Sequence, residues 1–600
     1  MPVRETADRR RPGRHRARRG QAAITTPPAR SAQPAAEQDP PQELDPTRLG
    51  SLEDGTMGSA PEHVELSADS DTSTGAEAGT ATVTEASTEA GARPGSRGGA
   101  GSRSNTARMA RGGSLNVAGA LIQQVSLFLV TALMGHALGK TDVGRYSEGW
   151  GLLSLLGVLS LAGFRAGLTR FIAIYLAEED AARVRGTVRL GMGITVVGSA
   201  IFGAVLAWQA PLVSRVWFHD PYMVDGIRLV ALALPAAATS DAALSATTGW
   251  RSQRAFSYIG RMFDPLTTLG LTGLFVVLLG HGLNWAFASV AISAWLTCVL
   301  SLVALSRRLR TVAPARSIME PRRIFSFSMV SWLSALAATG LIWADTLILG
   351  NLTNASDVGV YHVATRIVML AVFAMAPITN AFSPHMAHLF HTGERDEAAK
   401  AYGNATRWIV MCSVPAFVML LVFPAELLRV FGREFPAGAA VTMILAVGQF
   451  FAAATGPCGV VLNMSGRVRI SLIDNVGVLV LNILLCYLFI PHWGVVGAAW
   501  AWTIALTSVN LTKYLQARHL VGIRPAGAHT LPLALLGAVA AVGAIGVKLL
   551  THGHWWGVLP GGVVVVLIYA VGLVVKGAHP ADAQIAGQLL RRVGIRRRAA

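Results

Sequence analysis

Charged side chains stranded inside apolar runs are where this 600-residue chain could do chemistry. Asp345 and Arg366 stand in neighbouring apolar runs joined by a short polar link, each one to two helical turns from it. The two charges could pair and pin their helices, although a buried ion pair is weak evidence of stability in itself. In the alternative, Arg366 faces a cavity, where a planar guanidinium suits bidentate capture of an anion. His362 lies one turn before Arg366 and shares its face. Arg165 and Arg170 close a second run in Gly163-Phe164-Arg165-Ala166-Gly167-Leu168-Thr169-Arg170, and Arg251 closes a further one. These three either snorkel to the membrane surface or receive an anionic headgroup at an entrance. Gln123 and Gln124 offer hydrogen bonds to ligand hydroxyls or to a neighbouring helix. Asp241 is the first half's candidate for ion coupling, with a helix–helix hydrogen bond as its structural reading.

No catalytic constellation accompanies these residues. The sequence has no Gly-Lys-Ser/Thr phosphate loop, no His-Glu-x-x-His and no soluble segment large enough for ATP hydrolysis. No cofactor and no enzyme activity are expected, so energy must come from an ion, voltage or substrate gradient. Cys298, Cys412, Cys458 and Cys486 all lie in apolar runs, with the spacing of neither a metal site nor a disulfide framework. Nucleic acid is excluded as a partner, because no basic face with interleaved aromatics occurs outside the apolar runs.

The elements that must position these residues are membrane helices. Apolar residues make up 52% of the chain and the mean hydropathy is +0.47. They gather in runs long enough to cross a hydrocarbon core of about 30 Å as helix. About fourteen spans follow, over 115–138, 147–167, 188–208, 227–247, 264–280, 284–305, 327–350, 359–383, 406–424, 437–462, 470–490, 495–515, 531–550 and 556–576. Basic residues sort between alternate links: Arg183, Arg185, Arg189, Arg254, Arg307, Arg308, Arg322, Arg323, Lys400, Arg467, Arg469 and Arg518 all fall on one side. That asymmetry predicts that this side, with both termini, is cytosolic. The formal charge of +17 is therefore mostly a topology signal. Arginine-rich, Ala- and Gly-rich usage suggests a high-GC genome, and a bacterial plasma membrane is expected.

A repeat organises the spans. Asp142-Val143-Gly144-Arg145-Tyr146 returns as Asp357-Val358-Gly359-Val360-Tyr361, 215 residues later, each in a polar link. Ala236-Ala237-Ala238-Thr239 returns as Ala452-Ala453-Ala454-Thr455 in nearly the same register. Six spans per copy is an even number, so both copies enter the membrane in the same sense, with a path between two lobes. The expected fold class is an all-α polytopic membrane protein. Residues 1–112 form a disordered cytosolic tail, 113–325 an N-lobe and 326–520 a C-lobe. Residues 521–577 form a helical hairpin and 578–600 a basic cytosolic tail. The tail has no Phe, Trp or Tyr before Phe128 and carries charge in blocks, which prevents it from burying a core. Its Arg9–Arg19 block could lie on anionic lipid.

Several short motifs resemble the multidrug/oligosaccharidyl-lipid/polysaccharide exporter superfamily, in particular its polysaccharide-exporter and O-antigen-flippase branch. They are Ala344-Asp345-Thr346-Leu347-Ile348-Leu349-Gly350, the second pentapeptide, Ala364-Thr365-Arg366-Ile367 and Leu428-Arg429-Val430-Phe431-Gly432. Leu462-Asn463-Met464-Ser465-Gly466-Arg467 and Pro491-His492-Trp493-Gly494-Val495-Val496-Gly497-Ala498-Ala499 complete the set. The resemblance covers roughly residues 113–576. It implies alternating access that moves polyprenyl-diphosphate-linked sugars across the membrane for cell-surface polysaccharide assembly. Under it the diphosphate is the anion for Arg366, sugars are the ligand for Gln123 and Gln124, and glycosyltransferases or a polymerase are partners. Fourteen spans suit flippases of this kind, whereas drug-extruding relatives usually have twelve. Span 1 carries no carboxylate between Leu115 and Gly139, unlike the usual drug/proton antiporter. A drug or small-molecule exporter of the same fold is the alternative function. A non-transporting scaffold for glycan synthesis is a second.

Overall fold

With no water in the hydrocarbon region, each apolar run satisfies its backbone internally and folds as helix. The computed structural model describes residues 99–373, 375–523 and 530–575, and no strand occurs among them. The first repeat opens with α1 (Gly99–Ala137), α2 (Gly139–Leu161) and α3 (Phe164–Ala177). It continues with α4 (Ala181–Val216), α5 (Met223–Thr248), a helix over Phe256–Leu278 whose centre Asp264–Thr272 is α6, and α7 (Leu283–Leu309). The second comprises α8 (Pro321–Leu352), α9 (Ala355–Ala371), α10 (Met375–Thr392), α11 (Arg395–Val422), the short α12 (Pro424–Leu428), α13 (Ala439–Thr455), α14 (Cys458–Met464) and α15 (Val468–Gln516). Helices α16 (Leu531–Leu550) and α17 (Val558–Val575) follow.

The tail expected over 1–112 lies outside the described residues as far as Gly98. From Gly99 the described backbone is helical and runs without a break into the first span. The physical reason is local: residues 99–112 hold no proline and several good helix formers, continuous with the span. The basic tail over 578–600 lies outside the described residues altogether.

Among the described residues eleven helices are long and apolar enough to cross a membrane, and counting each of two bent pairs as one span makes thirteen. In the first pair α2 and α3 meet at 43°, where Ala162 and Gly163 both take positive φ. A Cβ at Gly163 would stand 1.9 Å from the Ser328 carbonyl oxygen, so only glycine lets the bend press on α8. The second pair, α9 and α10, bends by 51°. The long segment Arg469–Val521 is itself a hairpin, because Gly494 takes φ 54° and ψ −130°. Its arms meet where Lys513 Nζ donates to Asn475 Oδ1 at 2.9 Å and Gln516 Nε2 donates to Asp474 Oδ1 at 2.9 Å. Those arms are the expected spans 470–490 and 495–515, and separating them brings the count to fourteen.

The repeated pentapeptides face each other. A Cβ on Gly144 of α2 would stand 1.7 Å from the Ala355 carbonyl oxygen, and one on Gly359 of α9 1.9 Å from that of Lys140. Ala355 is 215 residues beyond Lys140, as Gly359 is beyond Gly144, so the contact is reciprocal. Flanking contacts repeat the pattern. Trp217, after α4, donates Nε1 to the Leu347 carbonyl of α8 at 3.3 Å and accepts from Asn351 Nδ2 at 2.8 Å. Phe431, after α12, packs edge-on against Phe128 of α1 at 4.8 Å, with Gly135 of α1 beneath its carbonyl. Each copy thus caps the first helix of the other at what is here termed the motif end; the opposite, basic end is the arginine-rich end.

Outward-facing side chains invert the pattern of a water-soluble protein. Trp208, Leu278, Val542, Leu549 and Leu550 are each at least 70% exposed, on helices whose polar residues point inward. Helices α16 and α17 pack on one another through Gly543 and Gly572, and on α11 and its C-terminal end through Gly537 and Gly561.

Gly359→Ala is expected to force α2 and α9 apart, destabilising the observed arrangement by about 1–3 kcal/mol as overpacking does. A lower Tm in detergent and faster labelling of a cysteine placed at Val358 would show it; an unchanged Tm would remove this contact from its structural role.

Candidate functional site

Asp345 is 2% exposed on α8 and accepts hydrogen bonds from the Tyr361 hydroxyl and from the Thr346 backbone N–H at 2.7 Å. Thr346 Oγ1 donates to the same carboxyl at 3.4 Å. The expected pairing of Asp345 with Arg366 is therefore not formed. The reason is helical phase: Arg366 follows Tyr361 by five residues, a rotation of roughly 140° about α9. Arg366 instead points its Nε at His362 Nε2, 3.3 Å away, on the shared face that the one-turn spacing predicted. The buried His362 ring stacks on Trp343, with centroids 6.3 Å apart and planes inclined by 23°. Gly151 of α2 leaves room for that indole, which a Cβ would approach to 3.0 Å. Among the described residues no carboxylate lies within ion-pair distance of Arg366, which is half-buried. An arginine held in a membrane segment beside an imidazole, with no carboxylate partner among the described residues, is suited to an anionic ligand.

Tyr146, the counterpart of Tyr361 in the first repeat, brings a second helix to this cluster. Its hydroxyl is buried with no hydrogen-bond partner, and both Arg366 and Asp264 lie within electrostatic reach of it. Asp264 accepts from Ser293 Oγ at 2.8 Å and Thr297 Oγ1 at 3.1 Å of α7. Glu148, 1% exposed, rests against Gly350 of α8, and its Oε2 has no hydrogen-bond partner among the described residues. Neither Asp264 nor Glu148 was singled out from sequence, because hydropathy placed both at the edge of a span. Asp264-Pro265 within a 23-residue helix apolar enough to cross a membrane was the available signal.

A second cluster lies nearer the arginine-rich end. Arg165 Nε stands 3.6 Å from Asp241 Oδ1, with both side chains partly exposed. The helix–helix reading of Asp241 is thus realised as a contact between α3 and α5. Arg261 is buried within electrostatic reach of Arg165 and donates Nη1 to Asn116 Oδ1 of α1 at 2.7 Å. Arg170 sits over the Phe327 ring of α8 at 4.6 Å, and Arg251 is exposed in the link after α5 at φ 55°. Gln123 and Gln124 are half-buried on α1, with no side-chain hydrogen bond among the described residues. Arg366, His362 and Asp345 therefore belong to one cluster, Arg165 and Asp241 to another, and Arg170 and Arg251 to neither.

Beyond the spans, Glu320 ties α3 to α8. It accepts from Tyr175 OH at 2.7 Å and pairs with Arg183 Nε at 3.0 Å and Arg323 Nη1 at 3.5 Å. The Tyr175 hydroxyl, helped by Arg183 and Arg323, holds the carboxyl below its ordinary range.

A family model described as "Polysaccharide biosynthesis protein" matches residues 109–390, and one described as "MatE" matches residues 331–488. Residues 109–488 are matched by one model or the other, and over them the chain is similar to both families. The Haloferax volcanii "Probable low-salt glycan biosynthesis flippase Agl15" is 27% identical to the chain over 207 residues, 34% of this chain and 43% of the relative. "Probable flippase AglR" of the same organism is 27% identical over 289 residues, 47% of this chain and 58% of the relative. The chain thus spans about half the length of the curated relatives it matches. In fold it resembles the solved structure "Lipid II flippase MurJ, inward closed conformation", with a TM-score of 0.62 at 12% identity over 76% of this chain and 97% of that one. A multidrug resistance MATE family transporter in its inward-facing conformation gives a TM-score of 0.57 at 15% identity, over 66% of this chain and 94% of that one. The resemblance read from the motifs and the all-α polytopic fold are both borne out.

Two outcomes follow. Tyr361→Phe leaves the buried Asp345 carboxyl short of a donor and is expected to cost about 1–3 kcal/mol, read as a fall in Tm that Asp345→Asn largely restores. Separately, a depressed carboxyl contributes stability above its unfolded pKa and loses it as pH falls through the folded value. The Tm advantage of wild type over Glu320→Gln should therefore be full at neutral pH and close below about pH 4; a gap independent of pH would contradict the assignment.

Proposed function

We propose that the chain is an alternating-access transporter that moves a polyprenyl-diphosphate-linked oligosaccharide across the membrane for cell-surface polysaccharide assembly. The observation that carries this reading is Arg366: a half-buried guanidinium within a span, with no carboxylate partner among the described residues. Such a group is costly in a membrane unless an anion completes it, and its fork matches two phosphate oxygens. The flippases among the relatives and the polysaccharide-biosynthesis family model support the same substrate class.

In this reading the two repeats are the rocking lobes, and the glycine contact of α2 with α9 closes the motif end on the outer face. Arg165, loosely paired with Asp241, and the nearby Arg261 give the cytosolic entrance a positive potential that draws the headgroup inward. Arg366 then receives the diphosphate deeper in the bundle. Both termini lie in the cytosol of a bacterial cell, consistent with the basic asymmetry.

The deciding experiment is a depletion strain assayed for lipid-linked saccharide inside and polymer at the surface. Internal accumulation with loss at the surface is expected, rescued by wild type and not by Arg366→Ala. Arg366→Lys keeps the charge, loses the fork and should rescue only partly, at roughly a tenth of wild-type export, the loss of one charge-assisted hydrogen bond. Unchanged glycans together with raised retention of cationic dyes would instead establish the drug-exporter reading, which the MatE match to residues 331–488 favours.

A further inference from the structure

Away from both clusters, Phe164 of α3, Leu190 and Ile194 of α4, and Pro321, Arg322 and Phe325 of α8 line a cavity of about 380 Å³. It lies at the arginine-rich end and is lined by apolar side chains apart from that of Arg322. Phe325 is 44% exposed at the opening. Gly193, between the two α4 residues, has nothing within 4 Å of where a Cβ would stand, so this stretch of α4 is not packed by protein.

The charges at the mouth are unbalanced. Glu320 is the adjacent carboxylate, and it is already engaged by Tyr175, Arg183 and Arg323. Arg322 and Arg189, both exposed, have no carboxylate within ion-pair distance among the described residues; Arg189 Nη1 reaches only Ser317 Oγ, at 3.5 Å. An apolar cavity with Arg322 in its lining, and with Arg189 next in the chain to the lining residue Leu190 and within reach of Ser317 just before α8, matches a molecule with an anionic head and a hydrocarbon tail.

We propose that this cavity is a binding site for an anionic phospholipid, its phosphate on Arg322 and Arg189 and one acyl chain between α4 and α8. A zwitterionic lipid fits less well, because its cationic headgroup would meet the same arginines. The bound lipid would touch helices of both repeats, so its occupancy would bias any movement of α4 against α8. This site does not depend on what the protein transports.

The full chain, reconstituted in nanodiscs of equal parts phosphatidylglycerol and phosphatidylcholine, is extracted into mild detergent and its retained lipids are counted by native mass spectrometry. Preferential retention of phosphatidylglycerol is expected, falling roughly tenfold in the Arg189→Gln/Arg322→Gln double variant, as loss of a charge-assisted hydrogen bond predicts. Both arginines are exposed, so that variant should keep the wild-type Tm. Ile194→Trp should fill the cavity and abolish retention with the arginines intact. Equal retention of the two lipids, or phosphatidylglycerol retained undiminished by either variant, would overturn the proposal. Displacement of phosphatidylglycerol by undecaprenyl diphosphate would overturn it too, making the cavity a substrate entrance, and displacement by inorganic phosphate would leave only a surface anion site.

Discussion

Everything at the motif end depends on two helices approaching until backbone touches backbone. Where α2 crosses α9, neither Gly144 nor Gly359 has room for a methyl group, and each lies against a carbonyl of the other copy. In a bilayer, apolar surface gains nothing by leaving lipid for another helix, so close packing of small residues becomes the main source of helix attraction. The closeness also sets what can be buried nearby. Tyr361 reaches Asp345, Tyr146 comes within range of Arg366, and Glu148 is pressed onto Gly350, because α2, α8 and α9 converge there.

Charges in such a setting divide into two kinds. Asp345 and Asp264 are held by neutral hydroxyl donors, which satisfies their lone pairs without a counter-ion. Arg366 and Arg165 keep part of their surface exposed, the first with no carboxylate partner among the described residues and the second with a loose one. The first kind builds helix contacts; in the proposed function the second leaves donors for a ligand. On that reading the placement of donors, more than the number of charges, separates structural charges from those that would meet substrate.

The architecture was largely legible in the sequence. Long apolar runs fixed the spans, and the fourteenth was recovered once Gly494 was recognised as a reversal inside one continuous helical segment. The pentapeptide repeat marked one place where the copies touch backbone to backbone. The pairing of individual charges was not legible, because it depends on rotation about helix axes: five residues carry Arg366 away from Asp345 while Tyr361 turns toward it. Glu148 and Asp264 escaped because hydropathy averages over a turn or more at a span's edge, and their burial comes from helices far away in sequence. Arg261, close in sequence to the surface residue Arg254, is drawn into the interior by Asn116 of α1.

The reciprocal caps have a consequence for biosynthesis. Trp217 and the α2 glycine face find their partners only in α8 and α9, more than a hundred residues downstream. While the ribosome is still making the second repeat, the first sits in the bilayer with its seam unfilled and Glu148 uncovered. Its final packing waits on α9, whose N-cap Asn354 and neighbouring Ala355 complete both sides of the contact at one stroke. The protein is therefore one cooperative unit whose halves mature together, and a chain truncated before α9 would leave the translocon with a polar, open edge that the membrane's quality-control proteases can recognise.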